Sequence, residues 1–375
     1  MKLLSGLLVV SLLGAAALHA AEAPPPGATP PRKAGEYTHG PDSKPQDGVP
    51  KGKLEGPFEF KSQIIAGTVR QYWIYVPAQY DAAKPAGLLV FQDGQRATNP
   101  DPNASLRVPQ VMENLIHKKD IPVMIGLFIT PGNRSETYPT TLGTNNPNNR
   151  AQEYDAMSDT YARMLVEELI PEVKKKYNIS DDPDARVIGG TSSGAIAAFT
   201  VAWHKTDQFR KVFSAIGSYV SIGYRPATAT TPMVPGGDLY PTLIRKNPTK
   251  PIRIFLQDGS GDLSNEHGNW FLANQQMVSA FEYANMRASA PARGGRGGRG
   301  GRGGRGGPGA PGAPGAGAAP AAEAPAAPAA PATPPPAPVL YDVKFEWGDG
   351  AHSDLHGGVL LPDALRWLFR DYPKS

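Results

Sequence analysis

The segment Gly190-Thr191-Ser192-Ser193-Gly194 places a serine between two glycines, each two residues away. An apolar run that predicts a strand precedes it, and a run of small residues that predicts a helix follows. A sharp strand-to-helix turn of this kind lifts a serine hydroxyl above the edge of a sheet, and the glycines relieve crowding around it. The spacing selects Ser192, because Ser193 has no glycines at the same offsets. Ser192 is therefore the candidate nucleophile, and the alternative is an ordinary tight turn.

A serine nucleophile requires a general base, which is nearly always a histidine oriented by a carboxylate. Four of the seven histidines lie in the N-terminal segment, on an early helix or at the far end of the helix that follows Ser192. Among the others, His352 follows a predicted strand in a short turn, where it would lie at the carboxyl edge of a sheet. His352 is the predicted base, whereas His356 and His267 are assigned to the substrate side or to loops.

Two aspartates compete for the role of the carboxylate. The predicted strand 252–257 continues into Asp258-Gly259-Ser260-Gly261-Asp262. Asp262 lies beyond the glycine turn, where its side chain can reach a histidine on the neighbouring loop, whereas Asp258 is placed to order the turn. Asp262 is the preferred acid, and Asp258 stays open as the alternative.

The cluster of His352, Asp354 and His356 also permits a metal-binding hypothesis. The cluster lacks the H-E-x-x-H pattern, and Gly357-Gly358 would break a helix there. We therefore predict neither a metal nor another cofactor.

The oxyanion of an acyl-transfer reaction needs two backbone N–H donors. One is expected from Ser193, directly after the nucleophile. The second is expected from Gly94 or Gln95, in the loop that follows the predicted strand 87–91.

Strands and helices that alternate along the chain must position these residues. Predicted strands cover residues 56–65, 69–76, 87–91, 123–129, 186–189, 212–216, 252–257 and 341–347, and predicted helices cover 109–118, 154–177, 193–203, 270–283 and 362–369. The first two strands resemble a hairpin. The alternation predicts an α/β fold with a mostly parallel central sheet and helices on both faces.

Three segments lie outside this pattern. Residues 1–21 have a lysine, an apolar run and then small residues, which predicts a signal peptide and an exported, periplasmic or extracellular protein. Residues 22–53 are predicted to form a Pro/Gly-rich tether before a domain that spans 54–375. Residues 288–338 contain 14 of the 42 Gly and 12 of the 40 Pro, including five Arg-Gly-Gly units, and are predicted to be a disordered insert.

Composition narrows the possible functions. The chain has no Cys, which excludes a disulfide scaffold, a zinc–thiolate site and a cysteine nucleophile. No run after the N-terminal one is long and apolar enough to predict a transmembrane segment. The formal net charge of +4 comes from the insert and the N-terminal segment, so nucleic-acid binding is not expected, although Arg-Gly-Gly repeats can bind single strands. A contact with anionic glycan, or a spacer, is preferred for the insert.

Several motifs together resemble the esterase D family, which includes enterochelin esterases and carbohydrate esterases that remove feruloyl and acetyl groups. They are Tyr72-Trp73-Ile74-Tyr75-Val76-Pro77, Phe91-Gln92-Asp93-Gly94, Arg150-x-x-Glu153-Tyr154, Glu168-Leu169-Ile170-Pro171, Gly190-Thr191-Ser192-Ser193-Gly194, Ser214-Ala215-Ile216-Gly217-Ser218-Tyr219 and Gly350-Ala351-His352. The resemblance covers about residues 54–285 and 341–372. The chain departs from the family in its Arg-Gly-Gly insert and in lacking the N-terminal domain of cytosolic enterochelin esterases.

This resemblance implies an α/β-hydrolase fold, a triad of Ser192, Asp262 and His352, an oxyanion hole near Gly94, and an Arg150/Glu153 pair that braces the loops. It implies ester hydrolysis, and export favours feruloyl or acetyl esters of polysaccharide. A siderophore trilactone is the alternative small-molecule substrate, and a non-catalytic binding protein is a further one. Residues expected to line the pocket are Tyr219, Trp270, Asn269, His356 and Tyr138.

Overall fold

The computed structural model describes residues 37–143, 145–290 and 337–373. The described strands are β1 (Lys53–Lys61), β2 (Val69–Val76), β3 (Gly87–Gln92), β4 (Met124–Ile129), β5 (Arg186–Thr191), β6 (Lys211–Ala215), β7 (Arg253–Gly261), the short β8 (Ser264–Asn265) and β9 (Gly268–Asn269), and β10 (Asp342–Ala351). The described α-helices are α1 (Gly94–Ala97), α2 (Val108–His117), α3 (Arg150–Tyr154), α4 (Thr160–Arg163), α5 (Ile170–Lys174), α6 (Ser193–His204), α7 (Tyr240–Lys246), α8 (Trp270–Ser289) and α9 (Asp354–Leu368).

Eight of these strands form one sheet in the order β1-β2-β4-β3-β5-β6-β7-β10. The first three pair antiparallel, and the six from β4 to β10 pair parallel. The parallel strands β3, β4, β5 and β6 are buried along their whole length, as expected of strands covered on both faces. The predicted α/β fold with a mostly parallel sheet is confirmed.

Helices cover both faces of the sheet and enclose two apolar cores. Helices α2 and α9 lie over one face, where Met112 and Leu361 are fully buried. Helices α4 to α8 lie over the other, where Phe199 and Phe281 are fully buried. Because all parallel strands run the same way, the residues that follow β3, β5, β6, β7 and β10 gather at one edge. That edge carries the candidate site.

The long helix predicted for residues 154–177, with a kink or restart at Pro171, is more interrupted than expected. The structure divides this stretch into α3, a loop, α4, a π-helical segment at Met164–Leu169, and α5. Pro171 has no N–H to donate to the preceding turn, and the helix widens directly before it.

The last helix begins at Asp354 rather than at Pro362. Ser353 caps it by accepting a hydrogen bond from the N–H of Leu355. Gly357 and Gly358 lie inside the helix, so the prediction that they would break it was wrong. A Cβ on Gly357 would lie 2.6 Å from Cβ of Ala215, so the glycines allow the helix to approach the sheet closely.

The described part of the predicted tether lies against the domain. The Tyr37 hydroxyl accepts a hydrogen bond from the N–H of Gly350 at 2.9 Å. The Asp42 carboxylate pairs with Lys118 at 2.5 Å and with Arg366 at 2.6 Å. Residues 37–52 are therefore fixed to α2 and α9 instead of extending freely. The predicted signal peptide and the first part of the tether lie outside the described residues.

The predicted insert starts later than expected, because α8 continues to Ser289. Residues 291–336, which hold most of the insert, lie outside the described residues. In the part of the chain that the structure describes, we find no helix with both the length and the apolarity that a membrane span would need.

Candidate active site

Ser192 lies at the turn from β5 into α6, with φ of 56° and ψ of −126°. This left-handed backbone conformation is costly for a residue with a side chain and marks a constrained turn. A Cβ on Gly190 would lie 2.5 Å from the backbone of Gly194, and a Cβ on Gly194 would lie 2.9 Å from Cβ of Gln92. Glycine is thus required on both sides of Ser192, and the turn has the form of a nucleophile elbow.

The structure brings Ser192, His352 and Asp262 into one hydrogen-bonded chain. Nε2 of His352 lies 2.9 Å from Oγ of Ser192. Nδ1 of His352 lies 2.5 Å from Oδ1 of Asp262, whose side chain is fully buried. His352 follows β10 and Asp262 follows β7, and these two strands are parallel neighbours. The arrangement can pass a proton from the serine hydroxyl to an imidazole that a carboxylate orients.

Asp258 and Asp262 occupy different positions. Asp258 is fully buried, near the point where β7 changes from buried to exposed residues. Its carboxyl accepts hydrogen bonds from the N–H of Gly259 and from the Asn274 side chain, each at 2.7 Å. Of the two aspartates that the sequence left open, Asp262 is the one that contacts His352.

The predicted oxyanion donors flank the elbow. The N–H of Ser193 is the first of α6, where N–H groups have no partner within the helix. Gly94 begins α1 and packs closely against β4, since a Cβ at this position would lie 2.7 Å from the backbone of Phe128. Gln95 lines the cleft in front of Ser192, whereas Gly94 does not.

A cleft of about 860 Å³ opens over Ser192 and His352. Polar side chains from the segment 145–152 form one wall, and the β8–β9 hairpin with Trp270 forms the other. Leu142 and Leu263 line its outer part and are exposed to solvent. The cleft therefore combines hydrogen-bonding groups near the serine with apolar surface at the rim. The described residues contain no group of three or more His, Asp or Glu side chains that could hold a metal ion.

A family model described as "Putative esterase" matches residues 62–287, which is more than half of the chain. The chain belongs to the esterase family. A relative of this esterase, the uncharacterized protein YbbA of Bacillus subtilis (strain 168), is 25% identical over 154 residues, or 40% of this chain and 57% of that protein.

Solved structures of esterases share the fold. An enterochelin esterase from Shigella flexneri matches with a TM-score of 0.54 at 19% identity, covering 87% of this chain and 60% of that one. A ferulic acid esterase matches with a TM-score of 0.54 at 17% identity, covering 85% of this chain and 98% of that one. This esterase thus spans less than two thirds of the Bacillus and Shigella proteins, but nearly the whole of the ferulic acid esterase.

Arg150 and Glu153, the two residues expected to brace the loops, each form an ion pair with a different partner. Arg150 donates to both carboxylate oxygens of Asp93, at 3.1 and 2.7 Å. Glu153 accepts from Arg70 at 2.9 and 3.1 Å, and both side chains are fully buried. Both residues lie on α3, but Arg150 binds Asp93, next to α1, whereas Glu153 binds Arg70 on β2. They brace the loops through two separate ion pairs.

Ser218 is a site residue that sequence reasoning missed. Its Oγ lies 3.2 Å from Oγ of Ser192 and accepts a hydrogen bond from Nε1 of Trp270 at 3.0 Å. The Trp270 ring also packs edge-on against the His352 ring, with centroids 5.8 Å apart. Ser218 follows β6 at the same sheet edge as the other site residues, and that position is the signal that could have identified it.

Asp155 was also missed. It lines the cleft beside Ser193, is 2% exposed, and its Oδ1 has no hydrogen-bond partner in the described part of the chain. Burial raises the pKa of this carboxyl to about 6, against the opposing effect of a hydrogen bond with Ser193. Asp155 directly follows the Arg150-x-x-Glu153-Tyr154 motif. Its position next to that motif is the signal that could have identified it.

Four of the five residues predicted to line the pocket lie elsewhere, and only Trp270 is in the cleft. The hydroxyl of Tyr219 bonds to Ser214 within the core. His356 is buried on α9, where Nδ1 accepts from the Gln257 amide at 2.5 Å. Asn269 caps α8, and Tyr138 is buried. His267 does line the cleft, in the β8–β9 turn. Residue type alone therefore did not show which aromatic and polar side chains line the cleft and which pack in the core.

Proposed function

We propose that this chain is a serine carboxylic ester hydrolase in which Ser192 is the nucleophile, His352 the general base and Asp262 the orienting acid. The observation that carries the proposal is the continuous chain from Oγ of Ser192 through His352 to the buried Asp262, with contacts of 2.9 and 2.5 Å. The strained elbow that presents Ser192 to the cleft supports it.

His352 takes the proton of the Ser192 hydroxyl as Oγ bonds to the ester carbonyl carbon. The tetrahedral intermediate then collapses, the alcohol leaves with the proton from His352, and the acyl group stays on Ser192. Water attacks this acyl-enzyme, gives its proton to His352, and the second intermediate releases the acid as the proton returns to Ser192. Asp262 holds the imidazole in one orientation and stabilises the imidazolium that forms.

The oxyanion is proposed to bind at the N-terminus of α6. The N–H of Ser193 is one donor, and the backbone beside Gln95, which lines the cleft, supplies the other. Each such donor contributes about 2.7–4 kcal/mol to the stabilisation of the transition state in serine hydrolases.

Ser192→Ala tests the nucleophile. We expect turnover of an aryl acetate to fall by at least about 10³-fold, because the residual rate comes only from binding and the oxyanion hole. The thermal midpoint should be retained, since Ser192 is only half-buried. Ser158→Ala, at an exposed position in the loop before α4, is the matched control and should keep full activity.

Covalent labelling checks the same assignment independently. An organophosphonate probe should add one phosphonyl group to the wild-type peptide that contains Ser192, and none to the Ser192→Ala protein. Unchanged turnover by the variant, or labelling at another serine, would show that the nucleophile lies elsewhere. Failure of the wild type to react at all would favour a non-catalytic binding protein.

For the substrate, we propose feruloyl or acetyl esters of polysaccharide. The chain matches nearly the whole length of a ferulic acid esterase, and the cleft of about 860 Å³ has the exposed Leu142 and Leu263 in its lining. A siderophore trilactone is the alternative, which the match to an enterochelin esterase supports over 60% of that protein. Comparing kcat/KM on feruloylated arabinoxylan, acetylated xylan and a catecholate trilactone separates these candidates.

We also propose that the protein is exported. The support is the lysine at position 2, the apolar run that follows and the small residues near Ala20. Mass spectrometry of the protein recovered outside the cytoplasm should find a new N-terminus shortly after Ala20. An intact Met1 on cytoplasmic protein would contradict export and leave the proposed chemistry unaffected.

A further inference from the structure

Asp262 has an unequal set of hydrogen bonds. Its Oδ1 faces Nδ1 of His352 and accepts from the N–H of Leu263, both at 2.5 Å. Its Oδ2 is buried and receives no hydrogen bond from any N–H or hydroxyl group of the described residues. A buried carboxylate oxygen without a donor is costly, so a second group is needed there.

The nearest candidate is Asp258, four residues earlier in the same turn, where the N–H of Asp262 donates to the backbone oxygen of Gly259 at 3.0 Å. The two buried carboxyls interact with each other there. Asp258 is fully buried, and its two oxygens already accept from Gly259 and Asn274. Two carboxylates in contact repel each other, and each also loses its hydration on burial. A contact of this kind is stable when one of the two groups carries a proton and donates it to the other.

Among the described residues, no positively charged side chain contacts Asp258 to stabilise two anions. The titratable groups that face Asp258 are Asp262 and, beyond it, His352. Helix α8 presents the neutral Asn274, and β10 presents Trp347 opposite Asp258. Burial and the adjacent Asp262 raise the pKa of Asp258 to about 9. Asp262 is the better site for the charge, because His352 and Leu263 both donate to it.

We propose that Asp258 is a positioning residue that stays protonated at neutral pH and donates its proton to Oδ2 of Asp262. This inference rests on the proposed function, since Asp262 is the orienting acid there. The hydrogen bond fixes the Asp262 carboxylate in the plane that faces His352 and stabilises its charge. Asp258 does not touch the substrate. The imidazole of His352 is therefore oriented by a pair of carboxyl groups, the protonated Asp258 and the ionised Asp262, and not by a single aspartate.

Infrared spectroscopy tests the protonation state without using activity. At pH 7.5 the wild-type spectrum minus that of Asp258→Asn should contain the carbonyl band of a protonated carboxylic acid. This band should shift in heavy water and disappear as the pH rises through about 9. Asp47→Asn, at an exposed position, is the control and should give no such band. Absence of the band in the wild-type difference spectrum would overturn the proposal.

Kinetics test the positioning role. Asp258→Asn replaces a neutral donor by a neutral donor, so kcat on an aryl acetate at pH 7.5 should stay within about threefold of wild type. Asp258→Ala removes the donor, so kcat should fall about tenfold with KM unchanged. Activity of the wild type should decline above about pH 9, whereas Asp258→Asn should lack that decline. Equal losses in the Asn and Ala variants would show that a negative charge is required at residue 258, and would overturn the proposal.

The two proposals fail in different ways. If Ser192→Ala keeps its activity while the infrared band is present, the proposed nucleophile is wrong and the protonated Asp258 stands. If Ser192→Ala is inactive and the band is absent, the nucleophile stands and the protonated pair is wrong.

Discussion

Asp155 brings a second perturbed carboxyl to the site, at the start of α6. It lies beside Ser193, and burial raises its pKa to about 6. The carboxyl therefore changes charge between mildly acidic and neutral pH. Its ionised form is less stable in the folded protein than in the unfolded chain.

The raised pKa of Asp155 predicts how the stability of the folded protein should change with pH. Between the ordinary aspartate pKa and about 6, the folded state binds more protons, so stability falls as the pH rises. Asp155→Asn removes this loss. We expect the free energy of unfolding of the variant, relative to wild type, to increase by about 2 kcal/mol from pH 4.5 to pH 7.5.

Urea denaturation at both pH values measures that difference. Asp47→Asn, at an exposed position, is the control and should shift stability equally at both. A pH-independent difference for Asp155→Asn would show that the Asp155 carboxyl does not titrate in this range.

The buried ion pair between Arg70 and Glu153 joins β2 to α3, and α3 lines the cleft. The side chains are 0% and 1% exposed. Glu153 also accepts from the N–H of Gly132 at 2.9 Å, so it fixes the loop after β4. A buried pair contributes little beyond an apolar replacement, but a single member left alone is strongly destabilising.

Arg70→Met should therefore lower the free energy of unfolding by about 3 kcal/mol, because it leaves the Glu153 charge buried without a partner. Adding Glu153→Gln to that variant should recover part of the loss, since the amide is neutral. Arg163→Met, which removes a solvent-exposed pair with Glu167, is the control and should have a much smaller effect on stability. Chemical denaturation of the four proteins measures these values, and a double variant less stable than Arg70→Met would contradict the explanation.

Gly358 shows how tightly α9 is packed. A Cβ at this position would lie 1.7 Å from the backbone oxygen of Ser105. Gly358→Ala should destabilise the fold by about 3 kcal/mol through overpacking, and should lower kcat because α9 begins two residues after His352. Gly40→Ala, with open space around it, is the control. Thermal unfolding and aryl acetate turnover measure both effects, and wild-type values for Gly358→Ala would refute the close packing.

The same glycines explain where sequence reasoning succeeded and failed. The elbow around Ser192 was predictable, because the two glycines that flank the serine form a local sequence pattern, although Gly194 itself is required by packing against Gln92 at the end of β3. Gly357 and Gly358 are required by contacts with Ala215 and Ser105, which are distant in sequence, so their local propensity indicated a helix end that does not exist. Local patterns located the elements and the three residues now in one hydrogen-bonded chain. Long-range contacts decided the partners of Arg150 and Glu153, which no local pattern contains.

Across the whole molecule, the low-complexity stretch joins two elements that the domain already holds together. Helix α8 connects β7 to its parallel neighbour β10. The side chain of Asn285 on α8 donates to the backbone oxygen of Tyr341 at 2.7 Å and accepts from the Tyr341 N–H at 2.8 Å. The end of α8 and the start of β10 are thus held next to each other by two hydrogen bonds between Asn285 and Tyr341. These bonds do not involve residues 291–336.

Replacing residues 291–336 by a Gly/Ser linker of about eight residues, which spans about 15 Å, should therefore preserve the domain. We expect kcat/KM on an aryl acetate within twofold of wild type and an unchanged thermal midpoint, because the contacts of Asn285 and Tyr341 remain. Asn285→Ala in the shortened protein should lower the midpoint, since it removes both bonds that join α8 to β10. A large loss of small-ester turnover on shortening would show that the stretch acts at the cleft. Loss confined to binding of an anionic polysaccharide, and sensitive to salt, would assign its five arginines to substrate capture.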